Sequence, residues 1–507
     1  MPTCVVDGLS IPCRSELRRI TLLAAALLLL TKCAVAQTEG PAADAAGPAV
    51  LAAVEQSLAD AIAKCEPSVV SIARVRRENP DRPFAPDGGD DAFGRAFGAT
   101  NAPEPEDPNF IPNEFGTGVV IDADGLIVTC YHVVRPDCDH WVTTRDLKVY
   151  PAKIVGADPR SDLAVLRIDA KGLTPITLGD GAAVRKGQIV LALGNPYAIA
   201  RDGQVSASWG IVSNLGRKAA PSMESPGESS GSLHQFGTLI QTDARLDLGG
   251  SGGPLINLAG EMIGLTTALA ALTGQETHAG FAIPVDDVFR RAVETMKPGR
   301  EVQYGLLGVA PVNLSPEDRA AGLNGALVAG VSEGTPAGIA GLEFNDLITH
   351  VDGQPIFDAD QLMLAIGKRD VGTEVQLTVQ RGGRTEDLKV RLTKFFMRDW
   401  KVVTATPKRW RGLEIDYPNA VQGNSVFEEF GAVVRDGCVA VTAVEEGSPA
   451  WEGGLRRGDL ICRVDDVQLA TPEDFFTVVA DRDGPVSIQL PASGVDPVVR
   501  VIPAESP

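Results

Sequence analysis

A gapless internal repeat constrains the fold of this chain most. Glu333-Gly334-Thr335-Pro336-Ala337, Gly341-Leu342, Asp346-Leu347-Ile348 and Val351-Asp352 recur as Glu446-Gly447-Ser448-Pro449-Ala450, Gly454-Leu455, Asp459-Leu460-Ile461 and Val464-Asp465, each pair offset by 113 positions. Two matching β-α-β segments imply two copies of one small domain, joined by the basic, Pro-containing stretch Lys401 to Arg411. The local chemistry agrees. Thr335 and Ser448 are good helix N-caps, and Pro336 and Pro449 suit the first helical position, where no N–H is needed. Gly341 and Gly454 can take the left-handed conformation that closes a short helix before the Asp-Leu-Ile strand.

The 507 residues exceed one ordinary domain, and roughly 150 residues per domain suggests about three. A net charge of −20 argues against nucleic acid as a partner, because phosphate binding needs clustered Lys and Arg, and disfavours anionic membrane surfaces. At the N-terminus, Arg14, Arg18 and Arg19 precede an apolar run from Ile20 to Leu30, and Ala34-Val35-Ala36 stands before Gln37. That is the layout of a secretory signal peptide, over 1–36. The apolar run is too short to span a bilayer, and Lys32 fits poorly before a lipidated Cys33. The expectation is therefore an exported protein of the periplasm or cell envelope, soluble after cleavage, with an anchored or lipidated form less favoured. Cleavage would leave Cys65, Cys130, Cys138, Cys438 and Cys462, too few and too scattered for a disulfide scaffold; a Cys438–Cys462 pair stays open.

Residues 37–59 read as an Ala-rich spacer turning helical near Leu51 to Lys64, and the Pro-, Gly-, Asp- and Asn-rich segment 76–113 as a long loop. From Gly116 to Pro284 the chain shows short β-rich runs broken by turn signals, including Gly118 to Ile121, Leu126 to Thr129, Leu163 to Ile168 and Met262 to Thr266. Such spacing suggests an all-β sandwich or barrel. Asp286 to Met296 has helical periodicity and stops at Pro298-Gly299, which places a domain boundary near residue 300.

A serine hydroxyl is a poor nucleophile near neutral pH, so a hydrolase needs a histidine to take its proton and an acid to orient that histidine. His132 follows the strand Leu126 to Thr129, Asp162 opens the run Ser161 to Ile168, and Ser251 lies among Gly249, Gly250, Gly252 and Gly253. The glycines allow a tight turn that aims the amides of Gly249, Gly250 and Ser251 at one point, as an oxyanion hole requires. Asp158 and Asp169 occupy turn positions and read as solvated. The order His, Asp, Ser, each at the edge of a β run, belongs to the chymotrypsin-like double barrel.

Two rivals fail on sequence grounds. Gly249 to Gly253 also satisfies the G-x-S-x-G elbow of α/β hydrolases, but that fold needs its acid and histidine after the serine and a helix after the elbow, whereas Pro254 to Asn257 and Met262 to Leu265 read as a hairpin. Cys130, His132, Cys138 and His140 form C-x-H…C-x-H, but a zinc site there would consume His132, the pairs are too closely spaced, and no H-E-x-x-H is present. No metal or cofactor is expected.

At these residues the sequence resembles the HtrA/Deg family of exported serine proteases, which pair a trypsin-like domain with C-terminal PDZ domains. The matching segments are Gly116 to Ile121, Thr129 to Val134, Asp158 to Ile168, Leu193-Gly194-Asn195-Pro196, Gln241 to Ala244, Gly249 to Leu255 and Gly280 to Pro284. The resemblance implies a mainly β, multi-domain chain: a trypsin-like double β-barrel over 60–298, PDZ (α+β) domains over 303–395 and 410–504, and a linker over 396–409. It implies His132 as general base, Asp162 as orienting acid, Ser251 as nucleophile, and a specificity pocket at Arg245 and Leu246. It also implies trimer-based assembly and cleavage of unfolded or damaged exported proteins. Gly305-Leu306-Leu307-Gly308-Val309 matches the PDZ loop that captures a peptide C-terminus, while Glu414 places a negative charge in the corresponding Gly412-Leu413-Glu414-Ile415, so the first module is expected to bind C-terminal peptides and the second poorly.

The chain departs from the family at Cys130, where Asn is usual, and at Asp247-Leu248-Gly249-Gly250, where Asn-Pro-Gly-Asn is usual. Losing that Pro, with Leu248 in its place, and gaining Gly250 should loosen the oxyanion loop and lower basal activity. Arg245, where Ala is usual, puts a preference for small aliphatic side chains in question. A proteolytically weak chaperone or scaffold, and a narrow regulatory protease, stay open as alternatives.

Overall fold

A computed structural model of the chain describes residues 42–76, 114–194, 205–218, 232–246, 249–267, 279–397, 400–422, 426, 437–492 and 497–505. The expected signal peptide and nearly all of the loop 76–113 lie outside them. Two units are distinguished, Met1–Asp60 and Ala61–Pro507. The expected helix near Leu51 is longer, running Ala42–Cys65 with Pro48 inside it. No helix among the described residues is long and apolar enough to cross a membrane.

Twelve strands form two closed barrels. The first contains β1 (Val69–Arg76), β2 (Glu114–Val120), β3 (Leu126–Cys130), β4 (Cys138–Thr143), β5 (Val149–Asp158) and β6 (Leu163–Arg167), in the order β5-β4-β1-β2-β3-β6 and closed by β5 pairing with β6. Its strands are rich in Val, Ile and Leu, which fit a pleated, buried surface; Ile72, Val119, Ile127, Val128, Leu163 and Leu166 are fully buried. The second contains β7 (Ile189–Gly194), β8 (Ser206–Arg217), β9 (Leu239–Thr242), β10 (Pro254–Ile256), β11 (Met262–Thr267) and β12 (Gly280–Pro284), in the order β10-β11-β12-β9-β8-β7 and closed by β10 pairing with β7. Val190, Ala192, Val212, Ile240, Leu255, Ile263 and Ala282 fill its core. The helix Asp287–Met296 follows, capped by the Asp286 side chain, which accepts from the Phe289 amide.

The repeat folds twice by the same local rules. Strands Ala326–Val331 and Val439–Val444 lead into helices Pro336–Ile339 and Pro449–Glu452. Thr335 and Ser448 accept from the Gly338 and Trp451 amides, and Gly341 and Gly454 adopt φ of 81° and 84°. Each copy closes its own core, one around Val328, Ile348, Leu377 and Val390, the other around Val441, Ile461, Phe475 and Ile488.

The segment expected as a linker is docked on the first barrel. Val402–Val403 pairs with Gly156 and Ala157 of β5, and the Thr404 hydroxyl donates to the Val155 carbonyl at 2.7 Å. Tyr131, beside His132, donates its hydroxyl to the Trp400 carbonyl at 2.7 Å.

Candidate active site

Three chain segments converge at the site. Strand β3 ends at Cys130 and delivers His132 on the single 3-10 turn Tyr131–Val133. The β5–β6 turn delivers Asp162, which holds a left-handed φ of 52°, an uncommon conformation for a non-glycine residue. Two backbone contacts tie these turns together: the Tyr131 amide donates to the Asp162 carbonyl at 2.9 Å, and the His132 amide to Asp162 Oδ1 at 3.2 Å. His132 Nδ1 then lies 3.0 Å from both Asp162 carboxylate oxygens. A carboxylate only accepts, so Nδ1 carries the proton of a neutral ring and Nε2 is left basic. Nε2 is buried and has no hydrogen-bond partner among the described residues. Thr267 Oγ1 adds a long contact of 3.5 Å to Asp162 Oδ2.

The third segment, Gly249–Gly253, is held by its carbonyls. Thr117 Oγ1 donates to the Gly249 carbonyl at 2.6 Å, and the Thr117 amide to the Ser251 carbonyl at 2.9 Å. Thr266 Oγ1 contacts the Gly250 and Gly253 carbonyls at 2.6 and 3.0 Å, and the Gly253 amide closes onto Gly250 at 3.1 Å. In a trans peptide the N–H opposes the preceding carbonyl, so the Gly250 and Ser251 amides point away from Thr117 and Thr266 respectively. Among the described residues no group accepts from the Gly249 or Gly250 amide. Gly252 adopts φ of 86°, and a side chain there would stand 2.1 Å from the Thr117 carbonyl oxygen. Gly116 lies between the Val133 side chain and the Ser251 carbonyl, bringing the His132 turn and the serine loop to one place.

The β5–β6 turn has a second face. Asp158 is buried rather than solvated, contrary to its turn-like sequence context, because it accepts from Ser161 Oγ at 2.5 Å, the Ser161 and Arg160 amides at 3.1 and 3.3 Å, and the Tyr304 hydroxyl. Burial still pushes its carboxyl above the usual range. Arg160 is 1% exposed, its guanidinium 3.8 Å from the Phe395 ring centre and 5.4 Å from that of Tyr304, and burial brings its pKa down to about 10. Gly367 makes room for it: a side chain there would come within 2.6 Å of Arg160. His234, which the sequence reading passed over, donates Nε2–H to the Ser161 carbonyl at 2.9 Å and receives the Thr238 hydroxyl at Nδ1 at 2.6 Å; burial lowers its pKa.

The expected pocket residues separate. Arg245 is exposed, with its carbonyl taken by Ser208 Oγ at 2.7 Å, while Leu246 is half-buried against the second barrel's core and Gly280. The four-residue Cys/His pattern is not assembled either. Among the described residues, the metal-ligating atoms that gather within 4.8 Å are those of Cys130, His132 and Asp162. Cys138 instead donates to Asp137 Oδ1 at 3.7 Å, and His140 Nε2 accepts from the Arg135 amide at 3.3 Å. The Cys130 thiol is pushed well above its ordinary range, by burial first and then by Asp162, and donates to the Thr266 carbonyl at 3.4 Å.

Comparison with known proteins fits this arrangement. Residues 116–265 match the trypsin-like peptidase domain family, and residues 305–392 and 440–490 match PDZ domain families. The chain is 32% identical over 426 residues to a probable periplasmic serine endoprotease, DegP-like, of Chlamydia trachomatis serovar D, covering 82% of this chain and 80% of that one. The chain belongs to the HtrA/DegP family. It is also 32% identical over 473 residues to periplasmic serine endoprotease DegP of Escherichia coli strain K12, covering 88% and 91% of the two chains. The solved structure of the HtrA-type protease AlgW with a tripeptide is 29% identical, with a TM-score of 0.50, covering 66% of this chain and 96% of that one. This HtrA/DegP family member is thus a serine endopeptidase with a trypsin-like double barrel and two PDZ domains.

The two PDZ domains differ at the edge that would take a peptide. In the first, strand Val309–Asn313 follows the Gly305–Val309 loop and is the outer strand of its sheet. The loop is shaped by Gly308, φ of 88°, packed on Thr335, with the Leu307 carbonyl accepting from the Ala337 amide at 2.9 Å. In the second, strand Leu413–Asp416 has Arg409–Trp410 paired on its other side, Arg409 opposite Glu414 and Trp410 opposite Leu413. The Glu414 charge is answered by Arg409, at 2.6 and 2.7 Å.

Proposed function

We propose that Ser251 is the nucleophile, His132 its general base, Asp162 the acid that fixes the imidazole, and the amides of Gly249, Gly250 and Ser251 the oxyanion donors. The observation that carries this reading is the His132–Asp162 pair: both carboxylate oxygens sit 3.0 Å from Nδ1, and Nε2 has no partner among the described residues. His132 Nε2 takes the Ser251 proton as the hydroxyl attacks a peptide carbonyl, and Asp162 stabilises the imidazolium that forms. The tetrahedral oxyanion is received by amides whose neighbouring carbonyls are held by Thr117 and Thr266. His132 then returns the proton to the leaving amine, and water repeats the cycle on the acyl-enzyme.

The substrates are unfolded or damaged proteins of the cell envelope, consistent with the periplasmic relatives, and the protein acts there after signal cleavage following Ala36, as a trimer-based assembly. Leu246 supplies the apolar wall of the specificity pocket and Arg245 lies at its rim. Peptide C-termini dock in the Gly305-Leu306-Leu307-Gly308-Val309 loop and extend along the outer strand of the first PDZ domain. Casein unfolded by reduction and alkylation, incubated with the purified protein and with Ser251→Ala, tests the assignment. Cleavage by the former alone is expected, with a fluorophosphonate adduct mapping to Ser251. Equal lack of cleavage by both, or an adduct elsewhere, would overturn it.

A further inference from the structure

In the second PDZ domain, Val439–Val444 runs antiparallel to Leu460–Ile461, with Val439 opposite Ile461 and Ala440 opposite Leu460. The pairing ends there, and its register continued by one step would set Cys438 opposite Cys462. Directly opposed residues on antiparallel strands have Cα atoms about 4.5–5.5 Å apart, within the roughly 4.4–6.8 Å that disulfides span. Cys438 is buried and Cys462 half-buried, and the two side chains pack in one cluster with Val426, Ala440 and Leu460. Among the described residues the other three thiols donate to oxygens: Cys65 to the Gly260 carbonyl, Cys130 to the Thr266 carbonyl and Cys138 to Asp137.

We propose that Cys438 and Cys462 form a disulfide by exchange with a small-molecule or protein disulfide, an oxidation that follows from the exported location proposed above. Cys462 is the attacking sulfur. It is the more accessible, whereas the neighbouring Cys462 thiol, followed by burial, pushes the Cys438 thiol well above the ordinary range. The Cys462 thiolate displaces one thiolate from the donor disulfide and is left as a mixed disulfide. Cys438 then gives its proton to solvent and attacks Cys462 Sγ, expelling the second donor thiolate. Two electrons and two protons pass to the donor, which leaves as two thiols. The bond joins the ends of a ladder on whose buried cluster, with Val426, Ala440 and Leu460, the side chain of Leu306 from the first PDZ domain also packs. Oxidation therefore fixes the surface beneath one residue of the carboxylate loop.

The full chain, carrying Ser251→Ala to prevent self-cleavage, is treated with oxidised glutathione without denaturant, alkylated and peptide-mapped. The expected product links the Cys438 and Cys462 peptides with the loss of two hydrogens, and raises the unfolding midpoint of the second PDZ domain by roughly 10 °C or more. Cys438→Ser is expected to trap glutathione on Cys462, and Cys462→Ser to leave Cys438 unmodified over the same period. Persistence of both thiols in the native oxidised sample, pairing of Cys438 with any other cysteine, or equally fast labelling of Cys438 in Cys462→Ser would overturn the proposal. Export is read separately, from the N-terminal sequence of the cell-derived protein. An uncleaved cytoplasmic chain would refute the location while leaving the purified-protein result to decide the cysteine pair.

Discussion

Replacing Tyr304 by Phe removes one hydroxyl, at a place where the consequence can be worked out. Asp158 has four donors among the described residues: Tyr304 Oη, Ser161 Oγ at 2.5 Å, and the Ser161 and Arg160 amides at 3.1 and 3.3 Å. A hydrogen bond to a charged group contributes about 1.5–3 kcal/mol, and with three donors remaining the loss should fall near the lower end. The pH dependence has a definite sign. Burial raises the folded-state pKa of Asp158 above the ordinary 3.8, so the folded chain holds this proton more tightly than the unfolded chain. The stability supplied by protonation is complete below the ordinary value and is lost as pH rises through the raised one. Removing the Tyr304 donor raises it further. The Tyr304→Phe deficit should therefore be full near neutral pH and should shrink as pH falls into the acid range. Urea unfolding of Tyr304→Phe against its parent, both in a Ser251→Ala background, at about pH 7 and about pH 4, measures this. A deficit below about 0.5 kcal/mol at neutral pH, or one equal at both pH values, would refute the reasoning, since the hydroxyl would then be contributing no more than a surface group.

Thr266→Val removes the hydroxyl that contacts the Gly250 and Gly253 carbonyls, each of which keeps one backbone donor. Loss of about 1–1.5 kcal/mol of loop order should lower kcat on casein roughly tenfold with little change in KM, and slow fluorophosphonate labelling in parallel; an unchanged kcat would show that the loop does not depend on it. A titration of C-terminal peptides by calorimetry should find saturable binding to the full chain that is abolished by Gly308→Val, since a side chain there would collide with Thr335. Gly412→Val, the corresponding collision with Ser448 in the second PDZ domain, should leave that binding intact; the reverse pattern would place the peptide on the second domain.

What the sequence made legible was set by neighbours a few positions away. The caps Thr335 and Ser448, the prolines after them and the closing glycines 341 and 454 each act within about one helical turn, and all appear as read. The order of His132, Asp162 and Ser251 was equally visible, because β runs and turns announce themselves locally. Asp158 was misread because turn chemistry and burial by Tyr304, 146 residues away, leave the same mark in a sequence. The hydroxyls of Thr117 and Thr266 were missed for the same reason: they reach the serine loop across 132 and 16 residues, and they hold the Gly249 and Gly250 carbonyls in a loop that the unusual Gly250 alone would leave loose. Glu414 looked like a bare charge until a hairpin placed Arg409 opposite it.

The socket around Arg160 bears on how freely such chains can be recombined. A guanidinium from the protease barrel lies against Tyr304 and Phe395, which bracket the first PDZ domain, and beneath Gly367 inside it. The two domains are consequently not interchangeable cassettes. A PDZ graft from a relative would have to bring all three of these residues into register with Arg160, and one lacking only the glycine would put a methyl group against a buried cation a few residues from Asp162. Boundaries drawn by sequence similarity would cut through this socket, and chimaeras designed at residue 300 would inherit half of it.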